Sequence, residues 1–156
     1  MKTFLLITTI LCAVFSFSFC QAVIPSDREG LLSGEGMGLA SFAEMNSYPG
    51  PKHVLELKNQ LGLTQDQEKK TETLMKGVQV SAKLLGAEIV GEEESLSKLF
   101  ESGKITEKIL RARAERIGTL RGQLRFIHMQ AHVKMKTVLS SNQIQRYTEL
   151  RGHGGH

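Results

Sequence analysis

Two short segments of this chain, Leu63-Thr64-Gln65-Asp66-Gln67 and Leu139-Ser140-Ser141-Asn142-Gln143, each place a hydroxyl residue three positions ahead of a glutamine. The hydroxyl can accept from the backbone N–H three residues on, and the glutamine can return to the cap's own N–H, so each segment reads as a capping box that fixes a helix start. A second constellation is cationic. Arg121, Arg125, His128, His132 and Lys136 follow one another at three- and four-residue steps, which puts them on one side of a helix. Such a stripe is either a solvated helix face or a surface that attracts anionic segments of another chain. Within it, His128 and His132 stand one turn apart, a spacing at which two imidazoles can share a metal. His53 would supply a third ligand only if the first helix folds over the later ones, and His153 and His156 lie in a Gly- and His-rich tail. Weak zinc or copper binding by these residues is the chemistry on offer, and no cofactor is required.

Enzyme chemistry finds little purchase. Beyond the leader the only aspartates are Asp27 and Asp66, and the second belongs in a helix's first turn, where its charge suits the dipole. No glycine-rich phosphate loop follows a strand, no serine sits in a nucleophile turn, and no His–carboxylate pair is placed by motif. A non-enzymatic protein is the expectation.

The elements that must position these residues are helical. Pro51 suits a first helical turn, and Val54, Leu55, Leu57 and Leu61 give an apolar side before Gly62. A second helix is predicted from Thr64 to about Ser102, with Leu74, Val78, Ala82, Leu85, Ile89, Leu96 and Leu99 or Phe100 on one face. A tight Ser102-Gly103-Lys104 connection leads to a third, Ile105 to about Leu139, carrying Ile109, Ile117, Leu120, Leu124, Ile127, Ala131, Met135 and Val138. The short link makes the two long helices antiparallel. A last helix spans Asn142 to about Leu150. The expected fold is all-α, a long antiparallel hairpin with short flanking helices, four in number. Ala114, Gly118 and Gly122 form a stripe of small residues suited to close packing, within the hairpin or against a second protomer.

Residues 1–22 read as a cleaved secretory signal: Lys2, an apolar run from Phe4 to Phe19, and a small-residue site at Ala22. Both cysteines, Cys12 and Cys20, lie inside it, so the exported chain would hold no disulfide and no thiolate metal site. Lipidation at Cys20 is the less favoured alternative, because Phe19 precedes it where a small residue belongs. Residues 23–50, with Ser33-Gly34-Glu35-Gly36-Met37-Gly38, read as a flexible N-terminal arm holding at most a short helix over 39–45. Residues 51–151 form the helical domain and 152–156 the Gly/His tail. The formal net charge of +4 names no partner by itself, and export argues against nucleic acid.

Leu63, Thr64 and Gln67, with Leu139, Ser140 and Gln143, bracketing two long helices behind an export signal, resemble the LTxxQ family of periplasmic proteins typified by Spy and CpxP. The first motif matches in full, and the second has Ser for Thr. The resemblance covers most of residues 51 to 151. It implies a thin, curved, cradle-shaped homodimer of helical hairpins that holds unfolding envelope proteins without ATP. For the stripe Arg121, Arg125, His128, His132 and Lys136 it implies a client-binding surface. The alternative functions it carries are metal sensing or resistance, and modulation of the periplasmic domain of an envelope-stress sensor kinase. Aligned on the caps, the family's metal-sensor positions fall on Val54, Lys58, Ala131 and Met135, and only Met135 is a ligand type that fits.

Overall fold

A computed structural model describes residues 27–152. The expected signal sequence, with Cys12 and Cys20, and the tail histidines His153 and His156 lie outside the described residues. Helices take up 79% of what is described and no strand occurs there. In chain order they are α1 (Arg28–Ser33), α2 (Ser41–Met45), α3 (Pro51–Glu56), α4 (Lys58–Leu61), α5 (Gln65–Glu101), α6 (Glu107–Val138) and α7 (Ser141–Leu150). Seven helices thus stand where the periodicity predicts four. The segment over 51–61 divides at Leu57, whose backbone (φ −100°, ψ 12°) leaves the helical region. Of the other two, α2 falls within the 39–45 stretch read as at most a short helix, and α1 lies in the part of residues 23–50 read from composition as a flexible arm.

Local chemistry sets the long helices' starts. Thr64 accepts from Gln67 N at the head of α5, Thr106 from Ile109 N at the head of α6, and Ser140 from Gln143 N at the head of α7. α5 is continuous over 37 residues, about 55 Å at ~1.5 Å per residue, and runs through Gly77, Gly86 and Gly91 without a break. Along α5 and α6 the residues pair in reverse order: Gln67 bonds the Val138 carbonyl, Glu88 meets Arg116 at 2.9 Å and Glu92 meets Arg113 at 2.6 Å.

Two hydrophobic clusters hold most of the buried apolar side chains. Leu31 of α1 packs with Ala82, Ile89, Val90, Leu120 and Leu124; Val54, Leu61, Met135, Leu139 and Tyr147 form the other. A fully buried Leu or Ile contributes roughly 1.5–3 kcal/mol, so these few side chains dominate. No residue from 91 to 116 is buried. Leu96, Leu99, Phe100 and Ile109, predicted on the apolar face, stay partly or fully exposed because two helices alone offer no third layer beyond Leu31.

The arm owes its place to that same leucine. Leu31 is 1% exposed, and its carbonyl oxygen sits only 1.9 Å from where a Cβ on Gly86 would be. Asp27 and Arg28 fasten the start of α1 to Arg121 (2.6 Å) and Glu94 (2.9 Å). The glycine-rich composition that suggests mobility instead permits close approach and a turn: Gly34 ends α1 in the left-handed region at φ 72°.

Candidate interaction surface

Both capping boxes form, and they also interlock. Gln67 Oε1 accepts from its own cap's Thr64 N–H (3.1 Å) and from Gln143 Nε2 (3.0 Å); Gln143 Oε1 accepts from Ser140 N–H (2.9 Å) and from Gln67 Nε2 (2.8 Å). Each amide nitrogen has a further acceptor: Gln67 reaches the Val138 carbonyl at 2.9 Å, and Gln143 the Leu61 carbonyl at 3.3 Å. Those carbonyls end α6 and α4 and would otherwise lack intrahelical partners. One pair of side chains therefore serves two helix starts and two helix ends. The motifs placed Leu63, Thr64, Gln67, Leu139, Ser140 and Gln143 at helix starts; the pairing needed the fold.

The cationic stripe is not one exposed face. Arg121 is held by Asp27 at 2.6 Å and Glu93 at 3.1 Å. His128 and His132 are 8% and 9% exposed. His132 Nδ1 donates to the Tyr48 carbonyl at 2.8 Å, and Lys136 Nζ lies 3.8 Å over the Tyr48 ring. Arg125 remains exposed. The stripe lies on one side of α6 as its spacing requires, but residues 27–50 lie against that side. A surface for another chain made of all five residues would need this segment moved.

Among the described residues no group of three or more His, Cys, Asp or Glu is placed to hold a metal. His53 borders the same cleft as His128 and His132, but its Nδ1 donates to Glu56 at 2.9 Å. Among the described residues nothing packs closely against Gly118 or Gly122 of the small-residue stripe, where a Cβ would meet nothing within 4 Å.

One cluster left no mark in the sequence. Glu44 of α2 accepts from the Tyr147 hydroxyl (2.8 Å) and from Gly50 N–H (3.1 Å), with Arg151 at 3.8 Å. Burial first, and the bond to Glu44 second, push the Tyr147 phenol well above its ordinary range. The structure also leaves large apolar side chains in solvent. Val80 and Leu84 on α5, with Phe126 and Val133 on α6, are 53%, 65%, 61% and 55% exposed, and all four fall outside the predicted apolar stripes.

Two groups make the arm's seat sensitive to acid. Burial, with the neighbouring His132 adding to it, holds His128 below its ordinary 6.5. The folded imidazole thus stays neutral while the unfolded chain begins to take up a proton. Stability present above 6.5 declines as pH falls through that value towards the folded one. Asp27 lies below its ordinary 3.8, chiefly because Arg121 donates to it, with burial opposing. Its contribution is present above 3.8 and is lost as pH falls through the lower folded value. The thermal midpoint is expected to drop between about pH 7.5 and about pH 5.5, with a smaller drop in His128→Gln. Equal drops in both proteins would remove His128 from this account.

No protein-family model, no curated protein and no solved structure matches this chain. The fold and surface define it at one level only: an all-α protein with two long packed helices, a fastened N-terminal segment and apolar side chains left in solvent. No helix among the described residues is long and apolar enough to cross a membrane.

Proposed function

We propose that this chain is a periplasmic, ATP-independent chaperone of LTxxQ type, delivered by a cleaved signal, that holds unfolding envelope proteins and limits their aggregation. The observation that carries this reading is the set of large apolar side chains standing in solvent on both long helices, Val80, Leu84, Phe126 and Val133. Such side chains mark an interaction site where they join into one patch. Arg125 and Lys134, both exposed on α6, supply cations that speed encounter with anionic segments. The interlocked caps support kinship with the LTxxQ proteins, and with it an antiparallel hairpin that pairs into a cradle-shaped homodimer. Open space at Gly118 and Gly122 suits such a dimer. We propose no catalytic role and no required cofactor. The metal-sensing alternative has less support, because the aligned positions Val54 and Ala131 are 0% and 2% exposed core residues. Modulation of a sensor kinase through the same apolar surface is a variant of the chaperone reading with a folded partner.

The test is aggregation of a reduced, unfolding client protein with the purified exported chain present. Suppression near equimolar ratio is expected, weakened roughly tenfold by Leu84→Ser with Phe126→Ser, since losing about 1.4 kcal/mol of apolar contact is a factor of ten. Arg125→Glu should slow capture and reduce its salt dependence, with little change in the amount bound at equilibrium. No suppression by the native protein, or undiminished suppression by the double variant, would defeat the reading.

A further inference from the structure

An open cleft of about 1000 Å³ lies between residues 33–53 and the adjoining faces of α5 and α6. Its size is at the upper end of the roughly 300–1,000 Å³ usual for small-molecule sites. Met37, Met45, Met75, Val78 and Pro51 give it apolar walls, and small residues at Ala40, Gly50 and Ala131 leave it hollow. Methionines adapt to an apolar chain of variable shape better than branched residues do.

The polar groups at the cleft are uneven in sign. Lys52, Lys83 and Arg151 border it, with Glu35 and Glu44 as the acids. Glu44 is already satisfied by Tyr147, Gly50 and Arg151. Lys52 and Lys83 are exposed and enter no ion pair among the described residues, so positive charge is left over at the mouth. His128, which borders the cleft, is 8% exposed, and its Nε2 is buried without a hydrogen-bond partner. A buried polar atom without a partner is rare and unfavourable. The other imidazole, His132, has already committed its Nδ1 to Tyr48.

We propose that this cleft binds an amphipathic acid, a carboxylate on a flexible saturated chain of the fatty-acid type. The alkyl chain lies against the methionines and Val78. The carboxylate faces Lys52 and Lys83, at a cleft that His128 also borders. A cationic amphiphile of equal length shares the apolar term and meets repulsion at the mouth. The inference is independent of the chaperone reading, since neither Leu84 nor Phe126 borders the cleft.

The experiment uses the exported chain with 8-anilinonaphthalene-1-sulfonate as reporter, displaced by laurate or by dodecylamine, both below their micellar range. The expected result is one laurate per chain, with dodecylamine at least about tenfold weaker. Lys52→Glu with Lys83→Glu should cost laurate roughly tenfold and leave helicity unchanged, because both side chains are exposed. Ala131→Phe should fill the base of the cleft and abolish displacement. If circular dichroism finds that variant unfolded, the lysine pair decides alone. Equal competition by laurate and dodecylamine would overturn the proposal. So would laurate binding that survives the lysine reversal, or several laurates per chain, which is adsorption to the exposed apolar residues or to an open protein-binding face.

Discussion

Gln67→Glu is expected to lower the stability of the helical domain by about 3 kcal/mol, although glutamate and glutamine serve equally well in an isolated capping box. The box itself uses only the side-chain oxygen, which both residues possess. What the substitution removes is the amide N–H₂, with its bonds to the Val138 carbonyl at 2.9 Å and to Gln143 Oε1 at 2.8 Å. A carboxylate in that place would turn oxygen against two acceptors in a half-buried setting, and an unsatisfied group there costs roughly 1–3 kcal/mol. For a domain of this size the thermal midpoint should fall by about 10 °C. Gln143→Glu should do the same, and acid should partly rescue both by returning a donor hydrogen. Thr64→Ala, which removes one cap acceptor, should cost only about 1 kcal/mol. A glutamate variant that melts within about 2 °C of the native protein would mean that the two amides do not pair.

Gly86→Ala should release the N-terminal segment, a result opposite to the one helix propensity gives. In a helix interior alanine is favoured over glycine by roughly 1 kcal/mol, and at Gly77 and Gly91 a Cβ would meet nothing within 4 Å. Gly77→Ala and Gly91→Ala are therefore expected to raise stability by about that amount. At Gly86 the new Cβ would stand 1.9 Å from the Leu31 carbonyl oxygen and 2.6 Å from its carbon. These are backbone atoms that no rotamer change can move. Lifting α1 exposes Leu31 and loosens the pairs from Asp27 and Arg28, which are partly solvated and individually weak. Amide exchange over residues 28–34 should then rise by roughly a hundredfold, as loss of about 3 kcal/mol of local stability implies, while exchange in the centre of α6 stays slow. Gly86→Ala matching Gly77→Ala in both exchange and melting would show that the segment is not seated on that glycine.

The sequence by itself determined the all-helical class, the long helices and their starting points. These depend on contacts within a few residues: apolar positions three and four apart, and a hydroxyl bonding the N–H three residues on. Only the tertiary structure decided what those elements do to each other. Leu31 meeting Gly86, Asp27 meeting Arg121, Glu44 meeting Tyr147 and Gln67 meeting Gln143 join residues 55 to 103 positions apart. A helical repeat states which side of a helix a residue occupies and carries no term for what lies against that side. For this reason the stripe from Arg121 to Lys136 was correctly assigned to one side of α6, yet its exposure was not. Burial of His128 and His132 follows from a segment whose composition lacks periodic apolar residues, and which is held by Leu31 fitting over Gly86 together with contacts from Asp27, Arg28, Glu44 and Tyr48.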